Sequence, residues 1–142
     1  VAEIAKKENA KHITIDCSLE SEIATLAPEE KEEMLLGMGL EEPGLNRFIR
    51  ATFDLLGLAT YYTLGPKEAR SWTINKGLKA PQAAGVIHTD FERGFICAEC
   101  YASDDLVKLG SEQKIKEAGL YRQEGKEYIV QTGDVILFRF NV

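Results

Sequence analysis

Four groups of residues in this 142-residue chain carry side chains suited to chemistry. Cys97-Ala98-Glu99-Cys100 spells C-x-x-C, the spacing of a redox pair or of half a zinc site. The run around it reads as a strand, however, where residues three apart point to opposite faces. No second Cys or His pair stands at ligand spacing, so Cys100 reads as a small core residue and no metal site is expected. His88-Thr89-Asp90 offers an imidazole beside a carboxylate, but no nucleophile or oxyanion feature accompanies it. A His near a helix end followed by a Thr-Asp turn accounts for it. Asp104-Asp105 reads as a helix start, not as paired catalytic carboxylates, and no catalytic residue is assigned. The fourth group is basic: Lys67, Arg70, Lys76, Lys79 and Arg93. Arg70, Trp72, Ile74 and Lys76 share one strand parity, which allows a sheet face with basic ends and an aromatic centre that contacts RNA phosphates and stacks a base. The competing reading puts Trp72 and Ile74 in the core with charges only at the strand ends.

The elements that must position these groups follow from periodicity. Ile4 to Lys11 is charged and helix-compatible, and Ile13-Thr14-Ile15 reads as a short strand with Asp16-Cys17-Ser18 as its loop. Leu19, Ile23 and Leu26 recur at helical spacing, and Pro28-Glu29-Glu30 opens a second helix. A third starts near Pro43 and ends at Gly57, which marks a boundary between 1–56 and 57–142. Beyond it the period changes to two. Leu58 to Leu64 and Ala69 to Asn75 form a hairpin about Gly65-Pro66-Lys67-Glu68. A helix follows from Pro81 to about His88, whose Ala83, Ala84 and Gly85 let it lie close to a sheet. Phe95 to Ala102 is the next strand, then come short helices from Asp104 to Leu109 and from Ser111 to Ala118. Strands Glu127 to Val130 and Val135 to Phe140 finish the chain. The fold class is α+β, with the C-terminal part in β-grasp order.

Composition narrows the function classes. An apolar fraction of 44% supports an ordinary core, and a net charge of -6 argues against a generally basic nucleic-acid binder. No apolar run approaches the roughly 20 residues that span a bilayer, and the N-terminus lacks the apolar core of a secretory signal. Three cysteines fit a reducing compartment, so no membrane partner and a cytoplasmic location are expected. The chain starts at Val1, which suggests a fragment or a processed product.

Two matches then support a family reading. Gly77-Leu78-Lys79-Ala80-Pro81, Ile87-His88-Thr89-Asp90 and Gly133-Asp134-Val135-Ile136 resemble the signature positions of TGS domains, a ubiquitin-like module. The fuller text is similar to the C-terminus of the YchF/Ola subfamily of P-loop NTPases: Tyr61 to Glu68, Arg70 to Ile74, Ala80 to Phe95, Gly125 to Val130 and Phe138 to Val142. Upstream, Gly39 to Arg47 extends that resemblance to essentially the whole chain.

The resemblance implies a β-grasp TGS domain at 57–142, preceded at 1–56 by the last strand and helices of a P-loop α/β nucleotide-binding domain. It implies that Cys17 and Ser18 stand at the loop that helps hold the nucleotide base. For the intact parent it implies ATP or GTP with Mg2+, ATP hydrolysis and association with ribosomes. No Gly-x-x-x-x-Gly-Lys-Ser/Thr loop occurs here, so this chain alone is expected to hold no cofactor and to hydrolyse nothing. The expected partners are the ribosome or structured RNA, through Lys67, Arg70, Trp72, Lys76, Lys79 and Arg93, and the rest of the P-loop domain. The alternative is a TGS platform for a protein partner with no RNA role.

Overall fold

The computed structural model describes residues 1–141; Val142, which closes the 57–142 range and the last of the matched segments, lies outside them. The described chain divides into two compact units, Val1–Leu56 and the residues from Gly57 onward.

The first unit holds α1 (Ala2–Lys7), α2 (Cys17–Thr25), α3 (Pro28–Gly37) and α4 (Gly44–Leu55). Local chemistry sets their starts. The Asp16 carboxylate accepts from the Ser18 and Leu19 amides and caps α2. Glu30 reaches back to the Ala27 amide ahead of Pro28. Glu20, from α2, accepts from the Gly44 amide at 2.6 Å and the Leu45 amide at 3.3 Å and so satisfies the start of α4. The strand expected at Ile13–Ile15 does not form. A strand requires a ladder, and no described residue pairs with this run.

The second unit is a five-stranded mixed sheet in the order β2-β1-β5-β3-β4. Its strands are β1 (Leu58–Leu64), β2 (Ala69–Asn75), β3 (Phe95–Ala102), β4 (Arg122–Glu124) and β5 (Asp134–Phe140). Strands β1 and β5 run parallel and every other pairing is antiparallel. Helix α5 (Ala80–Ile87) covers one face, and α6 (Thr89–Arg93) follows it. Ala80, Ala83 and Ala84 have no exposed surface. Their single methyl groups let α5 settle on Ala59, Tyr61, Ala98, Cys100 and Ile136 without steric obstruction. The Tyr61 hydroxyl, buried beneath the helix, donates to the Ala83 carbonyl at 2.9 Å. On the opposite face α7 (Ser103–Leu109) and α8 (Glu112–Glu117) enclose Tyr101, Val135 and Ile115.

One expected strand is displaced. Glu127 to Val130 contributes a single bridge, Lys79 to Ile129, and the fourth strand is Arg122–Glu124. The physical reason is the Asp134 carboxylate, which accepts from the Tyr128 hydroxyl at 2.7 Å and from the Gln131 amide at 2.9 Å. Those bonds hold residues 128–131 as a loop against the start of α5, where a regular ladder cannot run. Thr89–Asp90, expected as a turn, instead opens α6, and the His88 Nδ1 accepts from the Asp90 amide as its cap.

Candidate nucleic-acid interface

The hairpin of β1 and β2 brings part of the basic group together. In its register Trp72 stands opposite Tyr61, Arg70 opposite Thr63 and Ile74 opposite Ala59. All three of the β2 residues lie on the face under α5, where Ile74 is buried. Trp72 is half-buried. Its ring lies 6.5 Å from that of Tyr61 at an interplanar angle of 16°, and its indole N–H donates to Thr63 Oγ1 at 2.9 Å. The Arg70 guanidinium sits over the same indole, 5.0 Å from its centroid. A nucleobase reaches that ring only by displacing Arg70, while the guanidinium itself remains exposed and available to a phosphate.

Of the remaining cations, Lys67 adjoins Arg70 at the hairpin turn and Lys76 stands at the opposite end of the hairpin. Lys67 is exposed in the hairpin turn. Lys76 ends the hairpin, its amide donating to the Gly57 carbonyl. Lys79 Nζ lies 2.6 Å from Glu127, and Arg93 lies 3.4 Å from Asp90. Both pairs are solvent-exposed, where such contacts contribute little and exchange readily for another anion. The charge balance differs along the chain: residues 57–142 hold 11 basic and 11 acidic side chains, so the whole acidic excess belongs to 1–56.

Cys17 and Ser18, expected in a loop, instead form the first turn of α2 in the first unit because the Asp16 carboxylate caps the helix directly ahead of them; Cys17 is exposed. The Asp16 carboxylate engages the Ser18 amide at 3.0 Å and the Leu19 amide at 3.1 Å, and among the described residues no bond from the Cys17 amide is seen. The turn can offer one N–H to the edge of a base. The phosphates and Mg2+ fit nothing here: the chain has no phosphate loop, and among the described residues no cluster of three His, Cys, Asp or Glu side chains converges on a point. No step of nucleotide hydrolysis follows from these residues.

The other candidates resolve into scaffold. Cys100 lies in the core beneath α5, and burial pushes its thiol up to about 11, the opposite of an activated thiolate. Cys97 faces the other side of the sheet and accepts from Gln123 Nε2 at 3.2 Å. His88 caps a helix, and Asp104 and Asp105 stand in the first turn of α7. A polar cluster went unread in the sequence. Asp134, 3% exposed, binds Tyr128, Gln131 and, at 3.3 Å, Arg122. Burial, then the bond to Asp134, raises the Tyr128 phenol above its ordinary range. Gly133-Asp134 looks like an ordinary turn; the signal that distinguishes it is an acid directly ahead of the apolar run Val135-Ile136-Leu137.

Comparison with known proteins bears on the whole chain. Residues 58–141 match the family YchF-GTPase_C, described as a protein of unknown function (DUF933). Over 142 residues the chain is 57% identical to the Ribosome-binding ATPase YchF of Haemophilus influenzae, covering 100% of this chain and 39% of that protein. It is 47% identical over 130 residues to Obg-like ATPase 1 of Oryza sativa subsp. japonica, covering 92% of this chain and 33% of the relative. Among solved structures it resembles the Schizosaccharomyces pombe YchF GTPase, with a TM-score of 0.70 and 37% identity over 92% of this chain and 34% of that one. The chain thus spans well under half the length of the relatives it matches.

Proposed function

The chain belongs to the YchF-GTPase_C family, and from that premise we propose that it is the C-terminal portion of a ribosome-associated ATP- or GTP-binding NTPase. Residues 57–142 serve in this reading as a TGS module that binds ribosomal or structured RNA. Residues 1–56 are the tail of the nucleotide-binding domain, with the Cys17–Ser18 turn against the base. The observation that carries the reading is the 57% identity, across every residue of the chain, to a protein named as a ribosome-binding ATPase.

The chemistry of the second unit supports it. Lys67 and Arg70 project from a rigid hairpin, and Trp72 braces the Arg70 guanidinium from behind. Lys76, Lys79 and Arg93 add further positive charge to the same unit. Phosphates are recognised by cations held in fixed positions, and each neutralised phosphate steepens the salt dependence of binding. ATP or GTP with Mg2+ belongs to the longer protein, whose remaining P-loop domain is the other partner of 1–56. The location that follows is cytoplasmic.

Titration of the chain with purified ribosomes, and separately with a structured RNA, tests the proposal. Micromolar binding that weakens steeply between low and high salt is expected. Binding that is absent, or indifferent to salt, contradicts it.

A further inference from the structure

The sheet ends at β2, and no described residue pairs with its outer edge. The backbone groups on that edge follow from the hairpin register. The Gly65 amide donates to the Glu68 carbonyl at 2.9 Å, and the Lys76 amide to the Gly57 carbonyl at 2.7 Å. Bonded pairs alternate along an antiparallel ladder. Thr63–Arg70, Tyr61–Trp72 and Ala59–Ile74 are therefore bonded pairs as well. It follows that the amides and carbonyls of Arg70, Trp72 and Ile74 face β1, while those of Ala69, Ser71 and Thr73 face outward. Exposed edges are ordinarily blunted by Pro, by a bulge or by Lys. Ala69–Asn75 contains neither Pro nor Lys, and its register against β1 is unbroken.

Side chains alternate in step with these groups. Ala69, Ser71 and Thr73 are exposed on the face turned away from α5. Beside them a cleft of about 410 Å3 is lined mainly by Tyr62, Leu64, Leu106, Val107 and Val135, with Ser103 and Arg70 also bordering it. The small side chains of Ala69 and Ser71 leave this apolar cleft open toward the free edge, and Val107 stands 84% exposed at its rim. The opposite face of the same edge carries Arg70, with Lys67 in the adjoining turn. Neither cation is ion-paired among the described residues.

We infer that β2 accepts an extended polypeptide segment as a sixth strand, with apolar residues at alternate positions on the cleft face and acidic residues between them facing Arg70. In strand addition the main-chain bonds supply affinity and pockets for alternate side chains supply specificity. Outward-facing amides provide the first, and the cleft and the two cations provide the second. The inference stands apart from the RNA reading, which needs the basic side chains and not the edge backbone.

The test titrates the full chain with a capped peptide, Glu-Val-Glu-Val-Glu-Val-Glu, and follows backbone amides and methyl groups by NMR. Saturable shifts are expected at the amides of Ala69, Ser71 and Thr73 and at the methyls of Leu106 and Val107. Ser71→Pro removes one outward donor and no bond to β1, and it should weaken the peptide by about tenfold. Val107→Glu, remote from the hairpin ladder, should weaken it similarly while leaving the melting temperature unchanged. A Lys-Val peptide of the same length should bind more weakly than the Glu-Val one. The inference is overturned if the peptide moves none of these groups at millimolar concentration, if both variants bind it undiminished, or if only a short RNA duplex shifts the outward amides.

Discussion

The two units handle apolar surface in opposite ways. From Gly57 onward the large side chains Tyr61, Ile115 and Ile136 are fully enclosed. In Val1–Leu56 the buried hydrophobic residues are Ala5, Ile23 and Leu35, while Leu36 is 78% and Leu55 74% exposed, and Phe48 and Ile49 are nearly half exposed. Both units have well-formed helix starts, so the difference does not lie in local signals. It lies in closure. A helix cap contributes about 1 kcal/mol and fixes where a helix begins; short helices still depend on a buried face to persist. The sheet, α5, α7 and α8 supply that face for the second unit. The first unit presents its apolar residues outward, in keeping with the proposal that it is part of a larger domain.

Cutting the chain at this boundary puts the largest strain on the comparison. Residues 57–142 alone should melt cooperatively and give dispersed amide resonances, whereas residues 1–56 alone should show neither. Cooperative melting of the shorter piece would erase the distinction. A smaller effect comes from truncating one side chain in each unit. Tyr61→Ala removes a buried ring and the bond to the Ala83 carbonyl, and should lower the stability of the second unit by about 3–5 kcal/mol in denaturant titration. Leu35→Ala should cost distinctly less, because fewer enclosed neighbours surround it. Equal losses would show that the first unit is packed as tightly as the second.

The smallest effect is electrostatic and sharpens the account of the sheet face opposite α5. The Arg139 guanidinium and, after it, the Tyr121 hydroxyl hold the Glu99 carboxyl below its ordinary range, through bonds of 3.0 Å and 2.9 Å. A carboxylate favoured in this way stabilises the fold above its unfolded pKa of about 4.3, and the contribution disappears as pH falls through the lower folded value. The wild type should therefore melt above Glu99→Gln at pH 7, and the gap should close on acidification below about pH 4. A gap unchanged down to pH 2 would assign the effect to packing.

Legibility in the sequence tracks the same division. The hairpin stands out because burial on one face of a sheet imposes period two, and the register of β1 and β2 follows from their turn; Phe95–Ala102 and the last strand, buried on both faces, stand out instead as short apolar runs bounded by turn signals. Arg122–Glu124 is illegible because three polar residues at an edge carry no alternation. Glu127 to Val130 misleads in the other direction: it has the right residue types, but the Asp134 carboxylate claims Tyr128 and Gln131 across the loop. Ile13–Ile15 has strand composition without a partner to pair with. The basic group was visible residue by residue; what the sequence could not show is that Arg70 rests on Trp72 while Lys79 and Arg93 lie beside acids. Those pairings depend on which segments the fold brings side by side.

The central claim is that the hairpin cations of the second unit carry ribosome or RNA binding. Co-sedimentation of ribosomes with the wild-type chain and with the double variant Lys67→Glu/Arg70→Glu tests it most directly, melting curves verifying that both are folded. The account predicts that the double variant loses at least about tenfold in affinity and that its binding depends less steeply on salt. Undiminished binding with the same salt dependence would contradict it.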